Sequence, residues 1–369
     1  MERKGFDPFK HWLKTGVTLL LLVVLSIGMM GAAKRPSSLP AGNAITDGQA
    51  LLRYALPIEN KPVRELQQSL EDISTQLRAQ RRWSAIAGDI SKASRVLTTQ
   101  EAKLLDSVPD AQKSPAEGLI AQLKDGVAVI QAANEAKDRD AILTQRNQLL
   151  ALVGQLEDLM VKDFPFEVPP SYSNLPQLKG RATIEFTTNK GKITAVVDGY
   201  SAPVTAGNFV DLVQRGFYNG LPFTRQEDSY VLQIGDPPGP EVGFVDPKTK
   251  KYRAIPLEVL VQGDTEPTYG VTLEDAGRYK DLPVLPFSAY GALAMARPGD
   301  DPNGGSSQFF FFLFEPELTP AGLNLLDGRY SVFGYVTEGK DVLGQLKAGD
   351  KIESAKVIQG LDKLQQPVA

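Results

Sequence analysis

From about Ile45 to Lys162 the apolar residues recur at helical spacing. Leu66, Leu70, Ile73 and Leu77 step by 4, 3 and 4. Trp83, Ile86, Ile90, Ala93 and Leu97 step by 3, 4, 3 and 4, and Leu149, Val153, Leu156 and Met160 by 4, 3 and 4. Each set lays one apolar stripe along a helix. Two start signals suggest capping boxes: Thr98 with Glu101, and Ser114 with Glu117, the latter with Pro115 set for the first helical position. Val108-Pro109 and Ser114-Pro115 separate the runs. The pattern predicts three or four long helices in a bundle over residues 45–162. Arg78, Arg81 and Arg82 read as a solvated face of it.

Residues 163–177 break the period. Pro165, Pro169 and Pro170 stop the helix and stiffen the chain, while Phe164, Phe166 and Tyr172 are set to pack on a neighbour, so this linker is either a hinge or a strap. Beyond Leu178 the period becomes two. Thr183 to Thr187 alternates, Asn189-Lys190-Gly191 supplies a turn, and Ile193 to Val197 returns. Ala206 to Val213 reads as a short helix with Val204, Phe209, Leu212 and Val213 on one side. Further strand-like runs are Tyr230–Ile234, Gly291–Met295, Phe309–Phe314 and Val332–Val336. Many short strands with few helices predict a closed β-barrel or sandwich over 178–362. The fold class is therefore multidomain α and β, a helical bundle followed by a closed β-barrel or sandwich with short flanking helices.

Residues 1–35 are different again. Arg3, Lys4, Lys10, His11 and Lys14 precede an uncharged stretch of 17 residues, Val17 to Ala33. Basic before apolar marks a signal peptide or a signal anchor, so the body is expected to be exported, and to be tethered to a membrane if this segment is kept. The first 35 residues carry six Lys/Arg against two Asp/Glu; the rest of the chain carries 34 against 42. An acidic body gives no reason to expect a nucleic-acid partner. There is no Cys, and the single His precedes the apolar stretch. Thiol nucleophiles, disulfides, a Ser-His-Asp triad and His- or Cys-ligated zinc are thereby excluded from the body, and no metal or cofactor is expected.

Four motifs then fall in order across about 180 residues. Ala202-Pro203-Val204-Thr205-Ala206-Gly207-Asn208-Phe209 is similar to the V-P-K-T-A-E-N-F helix of cyclophilins. Phe223-Thr224-Arg225, four residues, then Tyr230-Val231-Leu232-Gln233-Ile234-Gly235-Asp236 is similar to their F-H-R and F-M-x-Q-x-G-D. Met295-Ala296, Gly304-Gly305 and Ser306-Ser307-Gln308-Phe309-Phe310 follow their M-A, Gly/Asn-rich loop and G-S-Q-F-F; Leu326-Asp327-Gly328 and Val332-Phe333-Gly334 follow L-D-G and V-F-G. The signal, the helical half, the Phe-Pro-Phe-Glu-Val-Pro linker and Leu178-Lys179-Gly180-Arg181 together resemble the multidomain thylakoid-lumen cyclophilins of plants and cyanobacteria.

That resemblance implies a peptidyl-prolyl cis-trans isomerase in the thylakoid lumen or periplasm, or a catalytically weak peptide-binding chaperone serving photosystem biogenesis. The implied substrates are proline-containing polypeptides, photosystem membrane proteins among them. Arg225 stands at the family's catalytic Arg, although an Arg here can equally pair with Glu227 or Asp228 on the surface. Tyr230, Val231, Gln233, Ala296, Gln308, Phe310, Leu325, Leu326 and Tyr330 stand at its substrate-binding positions, with Tyr230 and Phe310 as the expected wall for the Pro ring. Phe309 and Phe312 are assigned to the core on the opposite strand face. Departures are Thr224 for His, Gln226-Glu227-Asp228-Ser229 for I-I-P-G, Val231 for Met, Arg297 for Asn, Leu325 for Trp and Tyr330 for His. The stretch between Asp236 and Met295 is longer than in minimal cyclophilins and is placed to reshape or cover the groove.

Overall fold

A computed structural model describes residues 45–79, 82–227, 230–314 and 324–367. The apolar segment at 17–33 and Arg81 lie outside them. No helix among the described residues is long and apolar enough to cross a membrane.

The first half is helical. It comprises α1 (Gly48–Ala55), α2 (Lys61–Arg78), α3 (Trp83–Thr99), α4 (Glu101–Leu105), α5 (Lys113–Glu135) and α6 (Arg139–Met160). The three expected stripes meet in one core with Ile120, Leu123 and Ile130 of α5, and Trp83 packs half-buried at its edge. The caps fall elsewhere than expected. Thr98 lies inside α3 and its hydroxyl donates back to the Ser94 carbonyl at 2.9 Å. Ser114 is the second residue of α5, because a 3₁₀ turn at Asp110–Gln112 leads the chain from Pro109 straight into the helix. The working caps are Asp47, Asn60 and Asp138, each accepting from first-turn N–H groups. The Asn60 amide also donates to the Lys103 carbonyl at 2.8 Å, tying α2 to α4. Arg78 and Arg82 are exposed, as a solvated face requires.

The linker is a strap. The ring of Phe164 stacks on Tyr200 at 6.1 Å with the Lys179 ammonium 4.0 Å from its centre, and Tyr172 packs on Tyr269 at 5.2 Å. The strap ends in β1 (Gln177–Leu178), which pairs with β12 (Leu364–Gln365) near the C-terminus. Between them runs an eight-stranded antiparallel sheet. Its strands are β2 (Arg181–Thr188), β3 (Gly191–Asp198), β4 (Arg225–Glu227), β5 (Val231–Ile234), β8 (Ala292–Met295), β9 (Phe309–Phe312), β10 (Val332–Glu338) and β11 (Ile352–Gln359), in the order β11-β2-β3-β10-β8-β9-β5-β4. A separate short pair, β6 (Glu258–Val259) with β7 (Thr268–Tyr269), lies in the long stretch between β5 and β8. The sheet curls until the residues before β4 meet the start of β11. A bridge from Pro222 to Lys351, with Phe223 N–H donating to the Asp350 carbonyl at 2.8 Å, closes the ring.

Inside lie Phe186, Phe209, Phe309, Phe311 and Phe333. α7 (Pro203–Gln214) plugs the barrel, and every residue from Pro203 to Val213 is buried, not the expected one side only. The strap covers its outer face: a Cβ on Gly207 would stand 2.5 Å from the Cα of Gln177. Glu258 of β6 accepts from the N–H groups of Val204 and Thr205 at 3.2 and 2.8 Å and so closes the N-terminus of α7.

The helical region, expected to be one bundle from residue 45, divides. α1 sits on the barrel, where a Cβ on Gly48 would be 2.7 Å from Cβ of Tyr335 in β10, and the Ser288 hydroxyl donates to the Ile45 carbonyl at 2.7 Å. Its other side meets the bundle through Arg53–Glu71 at 2.9 Å. The Arg64 guanidinium reaches the Arg53 carbonyl at 2.8 Å and Glu157 at 3.0 Å. Arg181 at the start of β2 completes the junction. It pairs with Asp198 at 3.3 Å and Asp158 of α6 at 3.7 Å, and donates to the Leu52 carbonyl of α1.

Candidate functional site

Strand pairing assembles the groove on the outer face of the barrel. Directly opposed residues of antiparallel strands project to the same face. Arg225 opposes Gln233, Gln233 opposes Phe310, and Phe310 opposes Ala294. One row therefore runs across β4, β5, β9 and β8, carrying three of the expected site residues. The neighbouring row is Glu227, Val231, Phe312 and Ala292. Phe312 thus shares the face of Phe310, contrary to the expectation that it lines the core with Phe309. Residues two apart on a strand point the same way. Phe309 and Phe311 are the inward pair, while Phe312 is buried on the outside under Phe287 and Tyr230, at 5.2 and 5.6 Å.

The expected aromatic wall is built differently. Tyr230 leans on Phe312 and Phe314, whereas Phe310 carries Tyr330 edge-on at 5.5 Å. Arg297, the residue in place of the family's Asn, lies 5.3 Å over the Tyr330 ring and donates to the Arg329, Pro298 and Gly299 carbonyls. Sequence reasoning missed Phe287, which is parallel to Phe310 at 6.0 Å. It comes from the long stretch after Asp236 and stands on irregular backbone, where no periodicity marks it. Asp327 of the L-D-G motif holds it, accepting from the Phe287 and Asn324 N–H groups at 2.8 and 3.0 Å. Burial pushes the Asp327 carboxyl up to about 6.

Beside this floor the amides converge. Gln233 Nε2 donates to Gln308 Oε1 at 2.7 Å, and Gln308 Nε2 donates to Asp236 at 3.0 Å and to the Val242 carbonyl at 2.8 Å. The N–H of Ala296 donates to the Gln308 carbonyl at 2.9 Å. Gln233, Gln308 and Ala296, with Arg297, Tyr252 and Val242, line a cleft of about 220 Å³. Val242 and Tyr252 at its rim are exposed, and both come from the long stretch. Leu326 is half-buried; Leu325 is 86% exposed and offers a loose apolar edge where a Trp would give a wall. Arg225 is exposed at the free margin of β4 and forms an ion pair with Glu227. Of the two surface partners the sequence offered, Glu227 is engaged; Asp228 lies outside the described residues.

The outer face of this antiparallel barrel, plugged by a buried helix, carries Arg225, Gln233 and Phe310 in one register row, with Gln308 hydrogen-bonded to Gln233 beside it. Residues 183–365 match the family described as cyclophilin type peptidyl-prolyl cis-trans isomerase/CLD, and residues 47–161 match the CYP38-like, PsbQ-like domain of peptidyl-prolyl cis-trans isomerases. A protein of Synechocystis named as a thylakoid lumen peptidyl-prolyl cis-trans isomerase is 58% identical, over 96% of this chain and 96% of its own length. The chloroplastic peptidyl-prolyl cis-trans isomerase CYP38 of Arabidopsis thaliana is 45% identical, over 99% of this chain and 88% of its own. A cyclophilin type isomerase of Cryptosporidium parvum, solved in the presence of the dipeptide Ala-Pro, is 22% identical, with a TM-score of 0.36 over 48% of this chain and 99% of that one. The chain belongs to the cyclophilin-type peptidyl-prolyl cis-trans isomerases, in the branch that carries a PsbQ-like helical domain ahead of the barrel.

Proposed function

We propose that the outer-face groove catalyses cis–trans isomerisation of Xaa-Pro bonds, with Arg225 as its catalytic residue. The observation that carries this reading is the register row Arg225–Gln233–Phe310, which sets a guanidinium and an amide beside an apolar floor. Isomerisation breaks no σ-bond. Its barrier is that of amide rotation, about 18–20 kcal/mol, and the uncatalysed step takes tens to hundreds of seconds. A catalyst has to hold the Pro ring and favour the twisted imide. The floor of Phe310 and Val231 suits the ring. A guanidinium N–H pointed at the imide nitrogen engages the lone pair that appears once resonance is lost. A charge-assisted hydrogen bond of this kind contributes about 1.5–3 kcal/mol, or one to two decades in rate at about 1.4 kcal/mol each. Gln233 and Gln308, fixed by their mutual hydrogen bond, are placed to take the peptide backbone.

The names of the Synechocystis and Arabidopsis relatives support a lumenal home. The substrates are then proline-containing polypeptides on that side of the membrane, photosystem proteins among them, and the basic-apolar segment at 3–33 would deliver or tether the chain there. A second reading, a weakly catalytic peptide-binding assembly factor, is favoured by the Arg225–Glu227 pair and by Phe287 lying parallel beside the Phe310 floor.

Exchange spectroscopy on a short Xaa-Pro peptide separates the two. Arg225→Ala should lower the catalysed rate by about one to two decades, with little loss of affinity because the apolar floor remains. Arg225→Lys should not rescue, since an ammonium lacks the planar fork. A protein with no catalysed exchange that still binds the peptide would favour the second reading; an Arg225→Ala protein at the wild-type rate would remove Arg225 from the mechanism.

A further inference from the structure

Glu227 has no counterpart among the apolar residues that the family places after its arginine. It stands two residues from Arg225 on the same strand, so both side chains project to the groove face, and their charged ends meet. Its cross-strand partner is Val231, itself opposite Phe312. A carboxylate therefore occupies one end of an otherwise apolar row, beside the arginine that the row below it needs. Resting on the isomerase reading above, we infer that Glu227 is a positioning residue that sets the rate by competing with the substrate imide for the Arg225 guanidinium.

The competition has a direction. Both side chains are well exposed to solvent, 59% for Arg225 and 45% for Glu227. Water screens the pair and it holds loosely. A Pro ring seated on Val231 and Phe310 expels that water and lowers the local dielectric. The ion pair then tightens at the step where the guanidinium has to turn to the imide nitrogen. The ground-state complex gains and the transition state does not. Glu227 should consequently depress turnover and tighten peptide binding by a similar factor. The same strand geometry explains why the neighbouring residue cannot do this: Gln226 points to the other face, where its side chain accepts from the Ala348 N–H at 3.4 Å.

Exchange spectroscopy on the full chain with one Xaa-Pro peptide tests the inference. Glu227→Gln keeps the shape and removes the charge. It should raise the catalysed rate about fivefold, equivalent to about 1 kcal/mol, with the dissociation constant rising by a similar factor. The gain should vanish in Arg225→Ala, where Glu227→Gln has nothing to release; a structural role for Glu227 would persist there. Glu227→Asp, whose shorter side chain keeps the charge, should stay near the wild-type rate. Catalysis by Glu227→Gln where the wild type shows none would support the inference in its strongest form. A Glu227→Gln rate at or below wild type, with Arg225→Ala still impaired, would overturn the inference and leave the isomerase reading standing. No exchange in the wild type or in Glu227→Gln would overturn both.

Discussion

Arg181→Met isolates what couples the helical region to the barrel. The Arg181 guanidinium serves three acceptors on three elements: Asp198 of β3, Asp158 of α6 and the Leu52 carbonyl of α1. They are not equal. Asp158 is 57% exposed and 3.7 Å away, and a pair of that kind is worth about 0–1 kcal/mol. Asp198 is fully buried and keeps two other donors after the change, the Tyr200 N–H at 3.1 Å and the Ser201 hydroxyl at 3.0 Å. Its charge is then under-compensated but not orphaned, so the loss falls short of the roughly 3–5 kcal/mol of a fully stranded buried charge. One charge-assisted hydrogen bond, about 1.5–3 kcal/mol, is the expected cost of Arg181→Met. Urea unfolding followed by circular dichroism measures it. Asp198→Asn on top should return much of the loss, because the buried charge goes with its partner. A single variant within about 0.5 kcal/mol of wild type, or a double variant no better than the single, would refute this account of the junction.

Mild acid should stabilise the protein. Burial raises Glu157 to about 8, Glu258 to about 7 and Asp327 to about 6, so the folded state holds protons that the unfolded chain has released. Their contribution is complete below the unfolded carboxylate values and is lost as pH rises through 6, 7 and 8, at up to about 1.4 kcal/mol per unit per group. Asp211 and Asp246, held below the ordinary value, act the other way only in stronger acid. The urea midpoint should be higher at about pH 5.5 than at about pH 8, with a flatter profile in Glu258→Gln; a midpoint rising steadily across that range would contradict the assignment. Cyclosporin should bind weakly or not at all, since the exposed Leu325 has neither the ring face nor the indole N–H of a Trp. Calorimetry should show affinity gained in Leu325→Trp, and sub-micromolar binding to the wild type would rule the argument out.

What the sequence reveals depends on the range of each interaction. The stripes of α2, α3 and α6 are set by local period, and all but the edge residue Trp83 are buried in the bundle core. Helix starts turn on one backbone geometry, and where the Thr98 and Ser114 boxes are expected the N-caps are Gln100 and Gln112, which make no side-chain cap hydrogen bond. The groove positions came from ordered motifs, and strand pairing brings Arg225, Gln233 and Phe310 into one row. Phe287 carries no such mark, because its role depends on a stretch without motif or period. Gly207 is legible in the same way as the motifs: a Gly where the family carries Glu signals that backbone passes close by, and Gln177 of the strap is what passes.

The seating of α1 on β10 also imposes a schedule on folding. Gln49 of α1 donates to the carbonyl of Thr337, 288 positions along the chain. α2 to α6 make contacts close in sequence and can assemble as soon as they emerge. α1 cannot, because its docking surface on Tyr335 belongs to nearly the last strand made. Until then the face of α1 that packs on Tyr335 stays uncovered. α1 is thus the last of these helices to find its place, and it stays open to proteases and holdases until the barrel is whole. An interrupted or misfolded barrel would advertise itself at the opposite end of the polypeptide.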